Sequence, residues 1–200
     1  MKILFVCTGN TCRSPMAEAL VRKKMPEAEV RSAGIFAGND GKANPKAIAS
    51  LKDHNIDLDH HSHPVTHKLL NWADLVLTMT TGHKQSLILQ HPNFQDKYFT
   101  LKEYVSETDK KIWNELKQAY ATYEEKRSNY IQENHLKLDN SQLDAKLSDY
   151  LKDDLQKIQQ LEANLINYDV SDPFGGSLKD YQETLAELDR HIERLIKKLK

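Results

Sequence analysis

Residues 2–7, Lys-Ile-Leu-Phe-Val-Cys, are apolar on both alternations after the opening lysine, and they run into Thr8-Gly9-Asn10 and then into Met16, Ala17, Leu20 and Val21 at helical spacing. A strand that is apolar on both sides must be covered on both sides, and a helix following it directly is the usual crossover to a parallel neighbour. The same succession returns along the chain. Val30–Ala33 reads as a second strand and Pro45–His54 as a helix. Ala73–Met79 reads as a third strand after a short helix, Gly82–Gln90 as a helix, and Tyr98–Leu101 as a fourth strand. The expected class is α/β, a four-stranded parallel sheet flanked by helices, with ligands bound at the carboxyl ends of the strands. Cys7 stands at such an end.

Between Pro92 and Pro173 the chain contains no Gly and no Pro. Such a breaker-free stretch predicts long helices. Ile112, Leu116, Tyr120, Tyr123, Tyr130 and Ile131 form one apolar stripe, and Leu143, Leu147, Leu151, Leu155, Ile158, Leu161 and Leu165 a second, with a turn over Leu136–Asn140. Each helix alone would leave its stripe in water, so the two are expected to pair as an antiparallel hairpin. The implied organisation is one domain from residues 1–105 plus 169–200, with a helical hairpin at 106–168 inserted. A final helix over Leu178–Leu199 turns Tyr181, Leu185, Leu188, Ile192, Leu195 and Leu199 inward.

The most chemically loaded segment is Cys7-Thr8-Gly9-Asn10-Thr11-Cys12-Arg13-Ser14. A cysteine at a strand end, five residues, and an arginine at a helix start is what nucleophilic cleavage of a phosphate group needs. Backbone N–H groups of Thr8, Gly9, Asn10, Thr11, Cys12 and Arg13 can converge on one anion, the helix N-terminus adds positive potential, and Arg13 can grip two oxygens bidentately. The same field favours the charged, nucleophilic sulfur of Cys7. Gly9 is expected to let the loop fold tightly, Asn10 tolerates left-handed backbone, and Ser14 can donate to the sulfur. Cys-x5-Arg alone is a weak signal; strand before, Gly-Asn inside, Ser after and helix beyond make it specific.

With these residues in view, the chain resembles the low-molecular-weight protein-tyrosine phosphatases, over Lys2–Val105 and Ser171 to about Leu199. The strongest pieces are Val6–Pro15, Ser32-Ala33-Gly34 and Asp172-Pro173-Phe174-Gly175. The resemblance implies the low-molecular-weight phosphatase fold, an enzyme without a cofactor, and catalysis by Cys7, Arg13 and Asp172. Cys7 would form a phosphocysteine, while Asp172 would protonate the leaving group and then activate water, a double duty one carboxyl group can perform. It also implies that Asn10, Ser32 and His60 brace the loop, although His60-His61-Ser62-His63 leaves the choice of histidine open. Thr11 is similar to the bacterial protein-arginine phosphatase branch, where tyrosine-directed members often carry a larger aliphatic residue. Phosphoarginine is therefore the favoured substrate and phosphotyrosine the close second, with Thr11 and Phe174 lining the substrate pocket.

Other classes fit less well. A thioredoxin-coupled arsenate reductase would need redox cysteines beyond the two present, Cys7 and Cys12. A phosphoprotein-binding scaffold would not need Cys7, Arg13 and Asp172 together. Lys plus Arg total 28 against 29 Asp plus Glu, which offers no broad basic surface for nucleic acid. No run reaches the ~18 apolar residues of a membrane span, and the opening run lacks a signal-peptide cleavage site. Two cysteines without a disulfide framework point to the cytoplasm. The histidines lack partner carboxylates or cysteines, so no metal is expected. Phosphorylated proteins are the expected partners. The 106–168 insertion, with 9 Lys and Arg against 12 Asp and Glu, is either a solvated protrusion or a surface for a partner or self-association.

Overall fold

The computed structural model describes residues 1–106, 108–135, 137, 139–163 and 167–200. These separate into two compact units, Met1–Val105 with Tyr168–Lys200, and Ser106–Asn167.

The larger unit is a sheet of four parallel strands in the order β2-β1-β3-β4: β1 (Lys2–Cys7), β2 (Glu29–Gly34), β3 (Leu75–Thr78) and β4 (Tyr98–Thr100). Alternation along β1 divides the core. Ile3, Phe5 and Cys7 face one layer with Met16, Leu20, Leu51, Leu185 and Leu188, while Leu4 and Val6 face another with Leu70, Leu87 and Tyr98. Helices α1 (Arg13–Lys24), α2 (Pro45–Lys52) and α8 (Leu178–Leu199) supply the first layer, and α3 (His67–Trp72) and α4 (Thr81–Gln90) the second. Every residue of the strand is thus buried after Lys2, as an all-apolar run requires.

The helix starts are set locally. Asn44, Thr66 and Thr80 each accept a backbone N–H at the openings of α2, α3 and α4, and Ser177 with Asp180 forms a reciprocal capping box on α8. Tyr181, Leu185, Leu188, Ile192 and Leu195 of α8 are fully covered and Leu199 partly so. Burying each leucine contributes roughly 1.5–3 kcal/mol. Two elements went unread in the sequence: a 3₁₀ turn at Pro92–Lys97, and α5 (Leu101–Val105), which takes Leu101 from the expected fourth strand. Thr100 caps this turn by accepting the N–H of Glu103, whose carboxylate returns to the N–H of Thr100. That reciprocal cap stops the strand.

The smaller unit holds α6 (Thr108–Asn134) and α7 (Asn140–Ala163). Pairings of Tyr120 with Glu162, Lys126 with Asp154 and Tyr130 with Tyr150 run in opposite order along the two helices, so they are antiparallel. Their shared core is Leu116, Ala119 and Ile158, with Tyr123 and Leu161 against it, and Leu151 is also buried. Tyr120 and Leu155, expected in the stripes, are instead exposed. Spacing of four residues drifts around a helix of 3.6 per turn, which carries Leu155 off the seam and brings Ala119 onto it. Leu136 and Leu165 lie outside the described residues. No helix among the described residues is long and apolar enough to cross a membrane.

A unit with its own apolar seam predicts a tolerant junction. Replacing 106–167 with a short Gly-containing linker is expected to leave a folded protein with a cooperative urea transition and an α/β circular dichroism spectrum, since closing a shorter loop costs little. A molten or unfolded product would show that the segment supports the sheet.

Candidate active site

Strand β1 delivers Cys7, and α1 begins at Arg13, so the five residues between them span the gap from sheet to helix. Asn10 adopts φ 54°, in the left-handed region, and is fully buried. Its side-chain amide donates to Ser14 Oγ (3.0 Å) and Ser32 Oγ (2.8 Å), and its carbonyl oxygen Oδ1 accepts the His63 backbone N–H (2.9 Å). His60 Nε2 lies 3.0 Å from the Asn10 main-chain oxygen and 3.1 Å from Oδ1. The histidine cluster therefore divides its work: His60 brings its ring to the loop and His63 only its main chain.

The network continues outward. Ser32 Oγ donates to Glu18 Oε2 at 2.5 Å, and Glu18 also pairs with Arg22 at 2.5 Å. Burial holds the His60 pKa below its ordinary value, against the opposing charge of Glu18. Inward, Ser14 Oγ is 2.9 Å from Cys7 Sγ. A hydrogen-bonded path thus runs Glu18, Ser32, Asn10, Ser14, Cys7. The Asn10 side chain consequently points away from the pocket, and any share it takes in holding an anion falls to its main chain.

Contacts within the protein do not themselves require a glycine at position 9. Its backbone is not left-handed, and a Cβ there would meet only Thr11 Oγ1 at 3.8 Å. The glycine the loop needs is Gly34 at the end of β2, where a Cβ would stand 2.7 Å from the Thr8 oxygen and 2.9 Å from the Asn10 nitrogen. Ile35 and Phe36 donate to the Cys7 and Thr8 oxygens at 3.0 and 2.9 Å, so the loop lies directly against this turn.

Cys7, Thr8, Gly9, Thr11, Cys12, Arg13, Asp172 and Phe174 line one pocket of about 240 Å³. Arg13, 5% exposed in its side chain, donates from Nη2 to Asp172 Oδ2 at 2.7 Å and from Nη1 to the Val170 oxygen at 3.3 Å. Phe174 is 76% exposed and forms an apolar lip. Cys12 Sγ lies 3.4 Å from Tyr181 Oη, whose pKa burial and this contact push up. The segment carrying Asp172 is tied down behind its carboxylate. Val170 N–H donates to the Met79 oxygen at 2.8 Å, Asp169 accepts from Thr81 N–H at 2.7 Å, and Ser171 Oγ donates to Glu187 Oε2 at 2.7 Å. Burial would raise the Glu187 pKa, but hydrogen bonds from Lys102 and Ser171 outweigh it and hold it low. Among the described residues no cluster of three or more His, Cys, Asp or Glu could hold a metal.

The family described as low molecular weight phosphotyrosine protein phosphatase matches residues 2–148. The chain belongs to that family. A relative named protein-arginine-phosphatase from Bacillus subtilis is 38% identical over 205 residues, covering all of this chain and 97% of the relative. The low molecular weight protein-tyrosine-phosphatase PtpB of Staphylococcus aureus is 42% identical over 128 residues, 62% of this chain and 91% of PtpB. A solved structure of YwlE arginine phosphatase, a cysteine-to-serine mutant with a phosphorylated active-site serine, aligns at TM-score 0.67 and 35% identity over 100% of this chain and 95% of that one. The chain is accordingly a protein phosphatase, a hydrolase.

Sequence reasoning missed four parts of this phosphatase's site: Glu18, His83, Gly34's role, and the Ser171–Glu187 tether. Glu18 alone carried a signal, an acidic residue on the apolar face of α1 one turn after Ser14. His83 Nε2 lies 2.8 Å from Thr8 Oγ1 and Nδ1 2.9 Å from Thr80 Oγ1. Burial, then the charge of Arg13, lowers its pKa to about 4 against partial opposition from Asp172 and Asp169.

Two outcomes follow for stability. Asn10→Ala removes the side-chain bonds and keeps a strained backbone, costing about 3 kcal/mol, whereas Asn10→Gly relieves the strain and should cost measurably less in urea unfolding. For His83, the unfolded chain takes up a proton below its ordinary pKa of 6.5 and the folded one only below about 4. As pH falls through that window the unfolded state binds more protons, so this group withdraws stability; above 6.5 it withdraws none. His83→Gln should flatten that part of the stability–pH curve.

Proposed function

We propose that this phosphatase removes phosphate from arginine side chains of cytoplasmic proteins through a phosphocysteine on Cys7. The observation that carries the chemistry is the convergence of Cys7, Arg13 and Asp172 on one pocket, with Ser14 Oγ 2.9 Å from the sulfur. In the first step the Cys7 sulfur attacks phosphorus, the P–N bond to the guanidine breaks, and Asp172 gives its proton to the leaving nitrogen. In the second, Asp172 takes a proton from water, the water oxygen attacks phosphorus, and the S–P bond breaks to return the thiolate and inorganic phosphate. Arg13 holds the phosphoryl oxygens through both steps, with backbone N–H groups of residues 8–13 around the third.

The preference for arginine rests on Thr11, which lines the pocket beside Cys7. A small polar side chain leaves width for a planar guanidinium, where a larger aliphatic group would crowd it. The likeness to a relative named for arginine along its full length supports the same reading. Phosphotyrosine is the second reading, favoured by the likeness to PtpB and by the apolar lip at Phe174, which suits either planar group. The Ser106–Asn167 unit is proposed as a peripheral element offering a contact surface to a partner or a second copy.

Purified enzyme should be assayed side by side on phosphoarginine and phosphotyrosine peptides. Wild type is expected to favour phosphoarginine, and Thr11→Ile to lower kcat/KM on phosphoarginine by at least tenfold more than on phosphotyrosine. Equal losses on both would make Thr11 a structural residue, and a wild type that favours phosphotyrosine would overturn the arginine reading.

A further inference from the structure

We propose that His83 is a positioning residue for the phosphatase reaction: as a neutral imidazole protonated on Nε2, it donates to Thr8 Oγ1 and so turns the Thr8 hydroxyl hydrogen toward the phosphoryl group. The inference rests on the reading of residues 7–13 as the oxyanion site.

Counting hydrogens favours one direction. Thr80 caps α4 by accepting the His83 backbone N–H at 3.1 Å, so a lone pair of its hydroxyl is spent there. Its own hydrogen still needs an acceptor, and among the described contacts the one in reach is His83 Nδ1, at 2.9 Å. An imidazole that accepts at Nδ1 carries its hydrogen on Nε2 when neutral. Nε2 sits 2.8 Å from Thr8 Oγ1 and therefore donates to it. The opposite arrangement would leave the hydroxyl hydrogen of the half-buried Thr80 to solvent and consume the Thr8 hydrogen on the ring.

Thr8 is then an acceptor on one side and a free donor on the other. It belongs to the pocket wall with Cys7 and Arg13, and its carbonyl is held by the Phe36 N–H at 2.9 Å, so the residue cannot rotate as a unit. Thr8 is exposed, so its hydroxyl hydrogen is left free to be taken by a phosphoryl oxygen that enters the pocket in place of water. A hydrogen bond to an ionised acceptor is about twice as strong as one between neutral groups. A relay set before substrate arrives needs no reorganisation during the reaction.

The surroundings keep the ring neutral. His83 is 9% exposed, and the charges around it are those of Arg13, Asp172 and Asp169. Burial and Arg13 together disfavour imidazolium, consistent with the lowered pKa.

The test combines spectroscopy with orthovanadate affinity, using Thr8→Val, His83→Ala, His83→Gln and the Thr8→Val/His83→Ala double variant. Imidazole ¹⁵N shifts of the wild type, assigned by the signal lost in His83→Gln, should show Nε2–H. Thr8→Val and His83→Ala should each weaken vanadate binding roughly tenfold, the value of one charge-assisted bond, and the double variant no further. His83→Gln, whose amide can donate from a similar place, should stay within about threefold of wild type. An Nδ1–H tautomer, full affinity in His83→Ala, or additive losses in the double variant would overturn the proposal. If His83→Ala does not fold, the tautomer and the comparison of His83→Gln with Thr8→Val decide alone. Failure of the wild type itself to bind vanadate would strike the oxyanion-site reading instead.

Discussion

The side chain of Asn10 is the interaction on which the rest of the site depends. A loop meant to aim its N–H groups at one anion must turn its carbonyls outward, and the outward side of this loop is buried against β2 and the His60–His63 segment. Buried carbonyls and a left-handed residue are both costly unless matched. The carbonyls of Cys7, Thr8 and Thr11 are met by the N–H groups of Ile35, Phe36 and Asn44, and Asn10 meets the other need, being a residue type that tolerates φ 54° and one with enough donors and acceptors to reach Ser14, Ser32 and His63 at once. Ser14, held by Asn10, then sits 2.9 Å from Cys7 Sγ. The position of the sulfur's hydrogen-bond partner is thus inherited from a residue that faces away from the pocket.

On the opposite wall, order comes from ion pairs and tethers. Asp172 is 53% exposed in its side chain while Arg13 is 5% exposed. An exposed pair would hold its geometry weakly, since solvent screens it. Here the guanidinium is the buried, fixed partner, and the carboxylate's segment is fastened by Val170 to Met79, just past β3, and by Ser171 to Glu187 on α8. The carboxylate keeps access to water while its backbone does not move freely, the combination a group must have if it is to pass protons to two different oxygen or nitrogen atoms in turn.

How much of this could be read from the sequence follows from how local each part is. The strand, loop and helix around Cys7 are contiguous, so residue type and spacing suffice for Cys7, Arg13 and Ser14. Burial on both sheet faces likewise shows in the unbroken run of β1 and in the strands that follow. Asp172 carries no local signal, being an Asp before Pro as in many turns, and only the resemblance singled it out. Gly9 and Gly34 make the contrast. A glycine inside a tight loop invites the assumption that the loop needs it, whereas the close approach occurs at Gly34, on the neighbouring strand, where Thr8 and Asn10 press against it. Contacts of that kind, like His83 with Thr8 across 75 residues, exist only once β1 has paired with β2 and β3.

That dependence bears on what the fold contributes to selectivity. In a parallel sheet all carboxyl ends point one way, so the loop after β1, the turn after β2 and the start of α4 after β3 meet above the same edge. Each brings one kind of control. On the proposed reading the loop after β1 holds the anion; Gly34 at the end of β2 lets the loop backbone pack close, and α4 brings His83 to Thr8. The residues proposed to meet the leaving group are Thr11, on the outer part of the β1 loop, and Phe174, on the segment before α8. The proposed phosphate site is therefore built on the sheet edge, while the proposed choice between a guanidinium and a phenyl ring rests on two side chains. A single substitution at Thr11 would leave the hydrogen-bonded path from Glu18 to Cys7 untouched, because Thr11 takes no part in it.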